Sequence, residues 1–117
     1  TKGYNLPADW VIHTVGPVWQ DGNHGEDELL ASCYRRCLGL AEQYEIRTIT
    51  FPAISTGVYR FPPERAAKIA VKQVKTFLEN NSSIEVVSFV CFSRQTYDCY
   101  QAAVKEILLS QDKEQCL

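Results

Sequence analysis

Apolar residues recur along this chain at two different spacings. From Glu28 to Tyr44, the residues Leu30, Cys33, Cys37, Leu40, Ala41 and Tyr44 return every three or four positions, opposite the polar Arg35, Arg36 and Glu42. That period predicts an amphipathic helix, which Gly39 weakens slightly. A second stripe, Ala66, Ile69, Ala70, Val74, Phe77 and Leu78, follows Pro62-Pro63 and stops at Asn80-Asn81; proline opens a helix well because a first-turn N–H has no partner to lose. A third helix is predicted from Thr96 to Leu109, with Tyr97, Tyr100, Val104, Ile107 and Leu108 inward, Ser93 or Thr96 as its cap, and a polar, frayed tail after Ser110. The runs Trp10–Val15, Thr48–Ala53 and Ile84–Phe92 are β-branched and apolar and read as strands. Gly16-Pro17 stops the first, and Pro52 sits near the end of the second, where a lost ladder donor is tolerated. Lys2 to Leu6 reads as a short extended piece, and Gln20 to Asp27, with two glycines and three acids, as a surface loop.

Strand and helix therefore alternate three times without a repeat or a linker. Such alternation predicts an α/β fold, a mostly parallel or mixed sheet flanked by helices, with Ile84–Phe92 apolar enough to be buried on both faces. In such folds the loops that leave the carboxyl ends of the strands gather on one edge, where ligands bind. Function is expected at Ala53–Phe61 and Phe92–Thr96.

Composition narrows the possibilities. The 117 residues, 45% hydrophobic and 22% charged, suit a single domain over 1–117. Twelve Lys and Arg against fourteen Asp and Glu give a net charge of −2, so there is no bulk positive field for nucleic acid and an anionic ligand has to be bound locally. No apolar run approaches a membrane span, and the opening Thr1-Lys2-Gly3-Tyr4-Asn5 is unlike a signal peptide, so a cytoplasmic location, nuclear in a eukaryotic cell, is expected. Five cysteines at 33, 37, 91, 99 and 116 form no C-x-x-C pair, and the histidines are only His13 and His24; no metal is predicted. Cys33 and Cys37, four apart on one helix face, read as small buried apolar residues.

Ala53-Ile54-Ser55-Thr56-Gly57-Val58-Tyr59-Arg60-Phe61 joins a strand end to a helix start. A turn of this kind can aim backbone N–H groups, backed by the helix N-terminus, at an anion such as a diphosphate. Gly57 would supply either a positive φ or close backbone approach. A plain strand-to-helix turn explains the same residues equally well. Neither a Walker loop nor a dinucleotide fingerprint is present. Phe92 closes the third strand at the same edge and reads either as a stacking aromatic or as core. His13, with no nucleophile or carboxylate near it in sequence, reads as a hydrogen-bonded structural histidine.

Two blocks carry a resemblance: Gly3-Tyr4-Asn5-Leu6-Pro7-Ala8 leading into Val11-Ile12-His13-Thr14-Val15-Gly16-Pro17, and Phe51-Pro52-Ala53-Ile54-Ser55-Thr56-Gly57-Val58-Tyr59-Arg60-Phe61-Pro62. In that order the chain resembles the macrodomain family, nearest its MacroD-type branch. The resemblance implies an α/β/α sandwich that binds ADP-ribose and, in complete form, hydrolyses mono-ADP-ribosyl esters or deacetylates O-acetyl-ADP-ribose without a metal or other cofactor. The alternative is a non-catalytic reader of ADP-ribose or of mono-ADP-ribosylated protein. Residue by residue, Ser55, Thr56, Gly57, Val58 and Tyr59 match the family's second phosphate-binding loop, and Phe92 matches the aromatic that stacks on adenine. Arg60 stands where many members have glycine. The family's opening Gly-Asp-Ile strand, its Asn-Ala-Ala-Asn segment and the glycine-rich loop with the catalytic aspartate find no match here, so the chain corresponds to the C-terminal portion of such a domain. No catalytic residue is assigned, because none of Glu26, Asp27, Glu64 or Asp98 matches that aspartate. This chain is expected to be inactive alone and to need the unmatched segment, or another chain, for a complete site.

Overall fold

The computed structural model describes residues 9–57, 59–80 and 83–115, the side chains of 108–115 excepted. Its elements run α1 (Glu26–Gln43), β1 (Thr48–Pro52), α2 (Pro63–Asn80), β2 (Val86–Val90) and α3 (Arg94–Gln115). The two strands pair in parallel, from Thr48 opposite Val86 to Pro52 opposite Val90, with α2 as the crossover between them. The α/β class holds.

The helices start where their chemistry directs. Pro63 opens α2 as predicted. Ser93 is the cap of α3: its Oγ accepts the Thr96 N–H at 3.1 Å and lies 2.9 Å from the Thr96 hydroxyl. The last helix runs on to Gln115 rather than ending near Leu109. α1 begins at Glu26, two residues before the apolar period does, with Gly25 ahead of it in the left-handed region at φ 72°.

The buried faces are shifted from the predicted stripes. On α1 the core residues are Leu30, Cys33, Tyr34, Cys37, Leu38 and Ala41, whereas Leu40 and Tyr44 are exposed. On α2 they are Ala66, Ala67, Ala70, Val71 and Val74, with Leu78 exposed; on α3, Tyr100 and Ala103 go inward and Tyr97 and Val104 do not. The core has an aromatic centre. Tyr34 meets Phe51 edge-on at 5.0 Å, Phe51 stacks on Phe89 at 6.0 Å, and Phe89 lies 5.0 Å from Tyr100, spacings at which ring pairs attract beyond simple burial. The Tyr34 and Tyr100 hydroxyls satisfy each other at 3.3 Å. Burial drives both phenols upward, Tyr100 to about 12, so both stay neutral and the pair costs no buried charge. α1, β1, β2 and α3 are thus joined through four rings.

Two expectations for the strands fail. Along β1 and β2 the residues Ile49, Phe51, Val87 and Phe89 turn inward, while Thr48, Thr50, Val86 and Val90 are exposed. β2 is therefore buried on one face, not both, because the rings of Phe51 and Phe89 draw α1 and α3 onto the same side. The segment Trp10–Val15 forms no strand; it has a single isolated bridge, at Trp10. Trp10 packs on Tyr44 just before β1, at 5.2 Å, and Gly16 packs on Ser55 just beyond it, so this segment runs alongside β1 in the same direction. A cleft of about 1480 Å³ lies between them. With its outer edge across that cleft, β1 cannot supply the ladder that β-branched residues need. The proposed piece Lys2–Leu6 lies outside the described residues. No helix among them is long and apolar enough to cross a membrane.

Candidate functional site

The cleft opens, at the carboxyl end of β1, onto the turn that joins β1 to α2. Five hydrogen bonds shape this turn: the Thr56 hydroxyl and N–H both donate to the Ala53 carbonyl (2.8 and 3.4 Å), Arg60 N–H to Gly57 (3.0 Å), Phe61 N–H to Ser55 (2.8 Å), and Trp19 N–H, from outside, to Tyr59 (2.8 Å). Phe61 is buried and anchors its far end against the Trp19 ring at 4.9 Å. Over the Trp19 ring also sits the Arg65 guanidinium, 5.1 Å from its centroid and bidentate to Asp27 at 2.7 and 2.6 Å. The start of α1, the start of α2 and the turn are thereby one packed unit.

Backbone strain in the turn falls on unexpected residues. Ser55 at φ 66° and Arg60 at φ 63° occupy the left-handed region, where an L-residue with a Cβ is held at a cost of roughly 1–2 kcal/mol. Gly57 is not in that region, and a Cβ built on it would meet nothing within 4 Å. Of the two roles predicted for Gly57, positive φ is thus carried by its neighbours, and what it offers is open backbone facing solvent. The glycine usual in the family at the position of Arg60 is explained by the same geometry.

The other candidates divide. Ser55 is half-buried and its Oγ is buried without a hydrogen-bond partner. The hydroxyl of Thr56 is committed to the Ala53 carbonyl. Tyr59 is exposed, and Val58 lies outside the described residues. Phe92 is 88% exposed, which rules out the core alternative for it. Since Pro52 pairs with Val90, the turn after β1 and Phe92 after β2 emerge from the same edge of the sheet. His13 is exposed on the cleft wall and forms no hydrogen bond among the described residues, contrary to the structural role expected of it. Cys33 and Cys37 are buried as expected; the Cys33 thiol donates to the Val15 carbonyl at 3.4 Å, and burial pushes the Cys37 thiol upward.

One anion site was not visible in the sequence pattern. Glu26 is 2% exposed. Its Oε2 accepts the N–H groups of Gln20, Asp21 and Gly22 at 2.9, 3.2 and 3.0 Å, and its Oε1 that of His24 at 2.7 Å. Those donors, that of Gln20 above all, hold its carboxyl down to about 2 despite the opposing effect of desolvation. The surface loop, exposed over most of 20–25 as predicted, is wrapped around a carboxylate. Asp21, His24 and Glu26 bring ligand-type atoms within 4.8 Å of one another, but the Glu26 oxygens are already occupied, and Asp21 Oδ1 accepts from Asn23 N–H and lies 2.9 Å from His24 Nδ1. The cluster is accounted for by its own hydrogen bonds. A glutamate at the first helical position after two glycines was the available signal.

Fold and site together define an α/β domain in which a polar turn and an exposed aromatic emerge at the carboxyl ends of parallel strands. The Macro domain family model matches residues 1–70, and the chain belongs to that family. A macro domain-containing protein of Methanosarcina mazei is 59% identical over 108 residues, 92% of this chain and 58% of that protein. A Pantoea vagans protein named O-acetyl-ADP-ribose deacetylase 1 is 52% identical over 100 residues, 86% of this chain and 58% of its own. Among solved structures, the Oceanobacillus iheyensis macrodomain with ADP superposes with a TM-score of 0.88 at 41% identity, over 94% of this chain and 57% of the other. The chain thus spans about three fifths of the length of the relatives it matches.

Proposed function

We propose that this chain is the ligand-holding portion of an ADP-ribose-binding macro domain, with the diphosphate on the Ser55–Tyr59 turn and the adenine against Phe92. The observation that carries this reading is the turn itself, in which left-handed Ser55 and Arg60 hold Gly57 in open space at the mouth of a cleft and just before α2. Backbone donors and a helix N-terminus suit a diphosphate in a chain with no net positive charge. The ADP complex of the Oceanobacillus relative and the name of the Pantoea one support the same ligand class.

For the complete domain the chemistry we propose is hydrolysis of ADP-ribosyl esters or deacetylation of O-acetyl-ADP-ribose. One observation bears on binding rather than chemistry: among the described residues the acids lining the cleft, Asp9 and Glu45, stand at the opposite end of β1 from the turn, separated from it by a strand of about 17 Å.

Calorimetric titration tests the reading. Gly57→Glu should abolish ADP-ribose binding by setting a negative charge where the diphosphate lies, and Ser55→Ala should weaken it modestly. Phe92→Ala should weaken ADP-ribose and AMP alike and leave ribose 5-phosphate nearly unaffected. Equal affinity of Gly57→Glu and the parent for ADP-ribose refutes the assignment.

A further inference from the structure

We infer that Gly16 is a positioning residue for the Ser55–Tyr59 turn: its missing side chain is the space that lets Ser55 take its left-handed conformation. The inference rests on the ligand reading above and adds to it a residue that lies 39 positions earlier and touches no proposed ligand group. A Cβ built on Gly16 would fall 2.2 Å from Ser55 Oγ and 2.5 Å from Ile54 Cγ2. Real Cβ atoms do not come that close to their neighbours, so any side chain at position 16 forces the Ser55 hydroxyl and the Ile54 methyl, at the start of the turn, to shift. Gly16 does not itself occupy the left-handed region; space, and not backbone freedom, is what requires glycine here.

Three features make the contact consequential. Ser55 is already strained at φ 66°, so it stays in place only while its surroundings fix it. Its Oγ is buried without a partner, which means that packing against Gly16, and no hydrogen bond, settles where that side chain sits. Three residues further on, Trp19 N–H grips the Tyr59 carbonyl at 2.8 Å, so the segment 16–19 touches both ends of the turn. A side chain at position 16 would push one end while the other stays pinned, and the backbone between them would change shape. The adenine end, at Phe92 beyond β2, is not part of this contact.

The experiment compares the parent chain, Gly16→Ala, and a triple variant in which Ser55→Gly removes the clashing hydroxyl and Ile54→Leu removes the β-branch methyl at nearly constant volume. Amide exchange is read at Arg60 and Phe61, whose N–H groups close the turn, and at α1 as a control; affinity is read for ADP-ribose and for adenosine. In Gly16→Ala the turn amides should exchange about tenfold faster or more, and ADP-ribose affinity should fall by a similar factor, with α1 exchange and adenosine affinity unchanged. The triple variant should regain slow exchange. Unchanged turn exchange in Gly16→Ala overturns the inference, as does an equal loosening of α1, which would mark a general loss of stability. Should the parent fail to bind ADP-ribose even with the unmatched segment supplied as a second chain, the ligand reading falls, and the exchange measurements still decide the role of Gly16.

Discussion

The two sides of β1 are built differently. Toward α1 and α3, Phe51 is 4% exposed among the rings of Tyr34 and Phe89, and toward β2 the strand has a full parallel ladder. Toward the cleft, the segment Trp10–Val15 runs alongside with an isolated bridge at Trp10 and no strand, and Val15 is 81% exposed. One side holds nearly all the buried apolar area and hence most of the stability; the other has few contacts to lose when it moves. The turn sits where the two meet. Its far end is anchored in the packed unit through Phe61, and its near end leans on Gly16 from the loose side, so it can be well formed only if both sides are in place.

Substitutions that separate the two sides sharpen this contrast. The largest effect is expected from Phe51→Ala, which opens a cavity between the rings of Tyr34 and Phe89 and should cost about 3–5 kcal/mol in denaturant unfolding; a loss below 1 kcal/mol would mean that the ring cluster is not the centre of stability. Next comes acid. Glu26 titrates at about 2 in the fold against an ordinary value of 4.5, so the stability it contributes is fully present above about pH 4.5 and disappears as pH falls through 2. Glu26→Gln, whose amide would turn N–H donors toward N–H donors, should lower Tm by several degrees at pH 7 and hardly at all at pH 2; an equal loss at both values would rule out a role for the charge. A smaller change of opposite sign is expected from Arg60→Gly, which relieves a left-handed residue and should stabilise by about 1 kcal/mol. A stability loss there would show that the Arg60 side chain contributes more than its backbone costs. Smallest of all, Val15→Ser and Val18→Ser on the exposed side should shift unfolding by less than about 0.5 kcal/mol while reducing association at high concentration, seen by light scattering, because the outer edge of β1 and these valines invite it. Strong destabilisation by either would place them in the core.

Much of the packed side was legible in the sequence because period and capping act locally. Pro63, Ser93 and the two strands, predicted at Thr48–Ala53 and Ile84–Phe92 and observed at Thr48–Pro52 and Val86–Val90, were found from neighbours within a few residues. What escaped depended on distant partners. Tyr34 and Leu38 were missed as core because the face of α1 that goes inward is chosen by Phe51 and α2, not by the helix itself. The strand predicted at Trp10–Val15 has the right composition but forms only an isolated bridge, at Trp10, because a ladder is a property of two segments. In the candidate site, the turn and Phe92 were located by the rule for parallel sheets. That strain rests on Ser55 and Arg60 while Gly57 is relaxed could not be read from residue types, which assign positive φ to glycine first.

The carboxylate of Glu26 shows in miniature how this molecule handles anions. Four backbone amides surround it, and the nearest bidentate arginine, Arg65, is engaged with Asp27 instead. Oriented peptide dipoles act at contact distance, where dissolved ions screen little, unlike the spread of mobile lysines that other proteins turn toward phosphate. A ligand held in the same manner on the Ser55–Tyr59 turn would keep its affinity as ionic strength rises, and it would arrive by ordinary diffusion, unassisted by any long-range field from a chain of net charge −2.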